Sequence, residues 1–162
     1  CGRRRTGYAD GQEERTDCTQ IEGAMLESED GLVWRYRSLF TSEYGNETAF
    51  LFEEDGQCLA LARGADARPA RICRSSPPYA HWEHSNLDRN VGGPLLVKWG
   101  EHYLVGGRKN IDPQEPRTTL YWLVGDQLRE IGQLPSGGDN SYPGFVALDR
   151  TRALLSLSLI HI

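Results

Sequence analysis

The feature that most constrains this chain is a spacing. Asn46-Glu47-Thr48-Ala49-Phe50-Leu51-Phe52 runs through Asp55-Gly56 to Leu61-Ala62-Arg63. Gly92-Gly93-Pro94-Leu95-Leu96-Val97 runs through Gly100 to Gly106-Gly107-Arg108, and Ser141-Tyr142-Pro143-Gly144-Phe145-Val146 opens the same figure a third time. Taken at Glu47, Gly93 and Tyr142, the starts are 46 and 49 residues apart. Self-similarity at that period is the sequence mark of a β-propeller. Each unit opens with two short apolar runs joined by a turn, which is a hairpin. In a hairpin, the start of the first strand and the end of the second lie at the same end. The spacing therefore predicts that Glu47, Arg63, Arg108 and Tyr142 share one face of the molecule.

The rest of the chain reads as all-β, with short apolar runs separated by turn residues. Strands are expected near Thr19–Leu26, Trp34–Phe40, Thr48–Phe52, Cys58–Ala62, Ala70–Arg74, Leu95–Trp99, Tyr103–Gly106, Thr118–Val124, Leu128–Gln133, Phe145–Leu148 and Ala153–Leu157. Glu29-Asp30-Gly31, Glu54-Asp55-Gly56, Ser76-Pro77-Pro78 and Asp149-Arg150 supply turns between them. At about four strands per unit this is a partial propeller of roughly three blades. The stretch Cys1–Asp17 is polar and shows no period.

The chain has 162 residues, begins at Cys1, and has Met25 as its single methionine, so a piece of a longer protein is expected. Leu157-Ser158-Leu159-Ile160-His161-Ile162 matches what a transposon end used in DNA library preparation encodes in one frame. These six residues are set aside as non-native, leaving 1–156 for the fold. A net charge of −5 argues against nucleic acid as partner, where a basic face is expected. No apolar run is long enough for a transmembrane helix, so no membrane span is expected. Cys1, Cys18, Cys58 and Cys73 show neither metal spacing nor a disulfide framework and read as free, half-buried thiols.

Four features together resemble the sialidase superfamily. Ser28-Glu29-Asp30-Gly31-Leu32-Val33-Trp34 is similar to the Asp box, S-x-D-x-G-x-x-W, a turn between outer strands of a sialidase blade, with one residue missing between Asp30 and Gly31. The resemblance implies that Asp30 and Gly31 make the turn and that Trp34 packs between blades. Asn46-Glu47, Asp55-Gly56 and Arg63 resemble an N-E…D-G…R stretch whose Glu partners the nucleophile and whose Arg is one of three that clamp the substrate carboxylate. The chemistry suits the residue types: a planar guanidinium meets a carboxylate bidentately, and a carboxylate beside a phenol can take its proton. Arg108, one unit on at nearly the offset of Arg63, is a candidate for a second clamp arginine, and Gly106-Gly107 before it would admit a ligand or a neighbouring strand. Tyr142, at the start of an inner strand, stands where the family carries its nucleophile. Sialidases are exceptions to the paired-carboxylate glycosidases in using tyrosine. A neutral nucleophile suits attack beside a substrate carboxylate, and its ordinary pKa near 10 requires a base, the part offered to Glu47.

The resemblance covers most of residues 21–156 and is nearest to bacterial proteins described as sialidase-like or exo-α-sialidase. It implies a six-bladed propeller, a terminal acidic sugar as substrate, and no cofactor. The family's first arginine, in an R-I-P motif, and its acid/base aspartate are not identifiable here; Arg3-Arg4-Arg5 lacks the Ile-Pro context. Two alternatives stand beside this reading. One is a non-catalytic propeller that binds glycans or proteins through the same face. The other is a five-bladed glycosidase using carboxylates in both roles. His81-Trp82-Glu83-His84 does not put both imidazoles on one face of a strand, so no metal is expected. Trp82, Trp99 and Trp122 are read as packing between blades, and Arg35, Tyr36 and Arg37 as a solvated face.

Overall fold

A computed structural model describes residues 22–43, 46–65, 68–109, 116–135 and 140–159. Cys1, Cys18, the Cys1–Asp17 stretch and Arg3-Arg4-Arg5 lie outside these residues. The described chain is all-β. Its strands are β1 (Gly23–Glu27), β2 (Arg35–Thr41), β3 (Thr48–Phe52), β4 (Cys58–Ala62), β5 (Arg71–Ser75), β6 (Glu83–Asn86), β7 (Gly92–Trp99), β8 (His102–Lys109), β9 (Arg117–Val124), β10 (Gln127–Gln133), β11 (Asn140–Ala147) and β12 (Ala153–Leu159). They form four antiparallel sheets in chain order: β1-β2, β3-β4-β5-β6, β7-β8-β9-β10 and β11-β12. Every pairing joins strands consecutive in sequence, and none of the four sheets closes on itself. Strand β6, at the His81–His84 segment, is the one element the apolar pattern did not mark; it is polar and lies at the sheet's outer edge. Strand β11 begins earlier than Phe145 because a bulge near Tyr142 breaks its alternation. Strand β12 includes Leu157 to Leu159, half of the hexapeptide set aside above.

The sheets pack in series through their faces. In β4, Leu59 and Leu61 point one way and Cys58, Ala60 and Ala62 the other, and all five are buried. The large side join Ile72, Val91, Leu96, Val105 and Tyr121 in the main core between the second and third sheets. Fully burying a side chain such as Leu61 contributes about 1.5–3 kcal/mol. The small side, with Cys73, leaves room for Phe40 of β2. Phe40 meets Phe50 edge-on at 5.1 Å, and Trp82 joins them while its Nε1 donates to Ser38 Oγ at 3.0 Å. Trp99 does the same between the third and fourth sheets. It packs on Phe145 at 5.3 Å and donates from Nε1 to the Asp149 carbonyl at 2.8 Å.

Two expectations need correcting. Cys58 and Cys73 are fully buried rather than half-buried, because β4 and β5 are interior strands covered on both faces. Burial pushes their thiols up to about 11 and about 12, so both stay protonated and inert at neutral pH. The Ser28–Trp34 segment does turn as expected. The Asp30 carboxylate accepts from the Leu32 and Val33 amides at 2.8 and 2.9 Å, and Ser28 Oγ accepts from Gly31 N at 2.8 Å. Trp34, however, does not pack between sheets: it is 60 % exposed, with its indole Nε1 donating to the Gly31 carbonyl at 3.2 Å. The reason is local, since β2 starts only at Arg35 and the indole folds back over its own turn. Arg35, Tyr36 and Arg37 are exposed as expected.

Candidate functional site

The candidate residues of the first two hairpins sit where register puts them, and Tyr142 sits in a break of register. In the β3–β4 pair, Thr48 lies opposite Ala62, and the Arg63 amide donates to the Glu47 carbonyl at 2.9 Å, carrying the ladder one step further. Glu47 and Arg63 are thus a cross-strand pair, and their side chains meet, Arg63 Nη1 donating to Glu47 Oε2 at 2.9 Å. In the β7–β8 pair, Gly92 lies opposite Arg108. The Arg108 guanidinium crosses the bare face of Gly92, where a Cβ would stand 3.3 Å from its Nε. In β11, the register shifts between Ser141 and Gly144, so Tyr142 and Pro143 form a bulge. Bulges re-aim side chains, and this one turns Tyr142 towards the first hairpin.

The result is a contact across 95 positions of sequence: Tyr142 Oη donates to Glu47 Oε1 at 2.6 Å. The Glu47 carboxylate therefore has three hydrogen-bond donors, from Tyr142, from Arg63, and from the amide of Gly93 at 2.8 Å. Burial pushes its pKa up, but the bonds from Tyr142, Gly93 and Arg63 outweigh that and hold it below the usual glutamate range. The converse holds for Tyr142. Its hydrogen bond to Glu47, and the negative charge there, raise the phenol above 10, while the Arg108 and Arg63 charges pull it down. Within the pair the proton belongs to tyrosine. Tyr142 is 63 % exposed and has φ +55°, a left-handed conformation uncommon for a bulky residue and shared here with Tyr79.

Glu47, Arg63 and Tyr142 are brought into direct contact, and Arg108 to the same end, close enough for its charge to act on the phenol. The arrangement offers two arginines for an anion beside a phenol paired with a carboxylate. Gly106 allows the close approach of a neighbouring strand, since a Cβ there would lie 3.2 Å from Pro143 Cγ. Gly93 carries no functional signature in the sequence beyond its place in the period, one unit on from Glu47. Among the described residues no His, Cys, Asp and Glu cluster could hold a metal, and His84 Nε2 is taken up at 2.6 Å by the Phe40 carbonyl. No family model, curated protein or solved structure matches this chain.

Proposed function

We propose that the chain carries part of a sialidase-type β-propeller that hydrolyses glycosides of a terminal acidic sugar. The sheets β3–β6 and β7–β10 are read as whole blades, β1-β2 as the outer pair of the blade before them, and β11-β12 as the inner pair of the blade after. The observation that carries the reading is the Tyr142–Glu47 hydrogen bond at 2.6 Å, with Arg63 on the far carboxylate oxygen. In the proposed reaction the substrate carboxylate lies on Arg63 and Arg108. Tyr142 Oη bonds to the anomeric carbon as the glycosidic C–O bond breaks, and the phenolic proton passes to Glu47 Oε1. The leaving oxygen takes its proton from a separate acid. Water then attacks the anomeric carbon and gives its proton to the conjugate base of that acid, as the bond to Tyr142 Oη breaks and Glu47 returns the proton to the phenol.

One observation favours the second reading, a glycan-binding face without catalysis. The Glu47 carboxylate is held below its usual range and the Tyr142 phenol above its own, so the resting pair is a weak base beside a weak nucleophile. Turnover and affinity on a fluorogenic sialoside separate the two readings. For a hydrolase, Tyr142→Phe abolishes turnover and keeps binding, while Glu47→Gln slows turnover roughly 10²–10⁴-fold. An intact protein that binds sialosides but never turns them over establishes the second reading instead.

A further inference from the structure

Glu47 and Tyr142 belong to different sheets, and between them runs a single residue, Gly93, at the start of β7. On one side its amide donates to Glu47 Oε2 at 2.8 Å. On the other, a Cβ at Gly93 would lie 2.9 Å from the Tyr142 amide nitrogen, 3.0 Å from Ser141 Cβ and 3.2 Å from Tyr142 Cδ1. The two backbones meet in matching left-handed conformations, φ +56° at Gly93 and +55° at Tyr142. We propose that Gly93 is the positioning residue of the Glu47–Tyr142 pair, its amide fixing the carboxylate and its bare α-carbon admitting the Tyr142 bulge. The proposal rests on the functional reading above only for the chemistry the pair performs.

The geometry gives the amide a specific task. Arg63 Nη1 and Gly93 N both bind Oε2, from two different strands, β4's end and β7's start. Two donors on one oxygen fix the carboxylate's rotation and aim Oε1 at the phenol. With Arg63 alone, the carboxylate pivots on a long flexible side chain. A side chain at this position forces a local shift, because the nearest atom is the Tyr142 backbone nitrogen at 2.9 Å and a φ of +56° strains any residue with a Cβ. A shift of about 1 Å in such a constellation costs on the order of 10²-fold in rate.

The test has readouts independent of turnover. In the ¹⁵N-glycine-labelled wild-type chain, the Gly93 amide resonance is followed from pH 2.5 to 7. It should move with a transition below the ordinary glutamate range that is lost in Glu47→Gln, while the Gly125 amide, which follows its neighbour Asp126, titrates alike in both proteins. A flat Gly93 amide overturns the proposal. Tyr142 ionisation is then read as the ultraviolet difference between each protein and its Tyr142→Phe counterpart. Glu47→Gln and Gly93→Ala should both bring it down from the wild-type value, and Gly125→Ala, at a left-handed glycine with open space around it, should not. If Gly93→Ala leaves Tyr142 ionising as in wild type, the proposal fails; if that variant does not fold, the wild-type amide titration decides. On a sialoside, Gly93→Ala should lower kcat about 100-fold with little change in KM. A chain that turns over sialosides with a flat Gly93 amide sinks this proposal alone. An intact protein that is inert although this chain shows the expected titrations sinks the hydrolase reading alone.

Discussion

The Glu47–Arg63 pair should respond asymmetrically to the loss of either partner. Glu47 has three donors, whereas Arg63 has Glu47 as its ion-pair partner and a buried Nε without a hydrogen bond. Replacing Arg63 by Ala removes one charge-assisted bond, of about 1.5–3 kcal/mol. The side chains are 18 % and 25 % exposed, so screening puts the loss at the low end, about 1.5 kcal/mol. The carboxylate keeps Gly93, Tyr142 and some solvent. Replacing Glu47 by Ala removes the same bond and also strands a mostly buried guanidinium. Breaking a fully buried pair costs about 3–5 kcal/mol; allowing for partial exposure, about 3 kcal/mol is expected here. With a urea m-value of about 2 kcal/mol/M, midpoints should fall by about 0.75 M for Arg63→Ala and about 1.5 M for Glu47→Ala. Tryptophan fluorescence follows the transition, and the double variant closes the cycle with a coupling of about 1 kcal/mol or more. An Arg63→Ala midpoint at or below that of Glu47→Ala, or a coupling indistinguishable from zero, refutes the reasoning.

Acid should weaken the fold in part through Glu47. Its folded pKa lies below the ordinary 4.5, so its contribution is full above that value and is lost as pH falls through the folded pKa; Glu47→Gln should flatten this part of a stability-versus-pH curve. Arg63→Ala and Arg108→Ala should each weaken sialoside affinity in calorimetry by about 1.5–3 kcal/mol, the worth of hydrogen bonds to a charged group; unchanged affinity removes the clamp. Leu61→Ala, at a fully buried position of the main core, should cost about 2–5 kcal/mol in urea unfolding. Gly100→Ala, at φ +63° with nothing within 4 Å, should cost only the conformational penalty of about 1–2 kcal/mol; a larger loss means the turn is packed after all.

The site was legible because hairpin register is arithmetic. Once Glu47 and Arg63 flank one hairpin and Arg108 closes the next, antiparallel pairing puts them at one end whatever the side chains do. Strands β3 and β4 matched their expected limits because apolar runs ended cleanly at polar turns. What stayed hidden depends on tertiary contact. Strand β6 carries Glu83-His84-Ser85-Asn86, an edge sequence whose only strand signal is its partner β5. Trp34 looked like a packing residue by type, but its surroundings are set by where β2 begins. The part played by Gly93 follows from the distance between two backbones, and a glycine's neighbours leave no trace in its own letter.

Trp99 ends the strand that Gly92 begins and Gly93 follows, and it holds β11 at Phe145 and the turn after it at the Asp149 carbonyl. Eight residues of strand span about 26 Å at roughly 3.3 Å each. A rotation of the fourth sheet by about 5° around the Trp99 end therefore sweeps its Tyr142 end through about 2 Å over that strand length. That displacement would break a 2.6 Å hydrogen bond. Geometrically the indole contact is then the fulcrum and the phenol the tip, so a small repacking at Trp99 would be magnified along the strand.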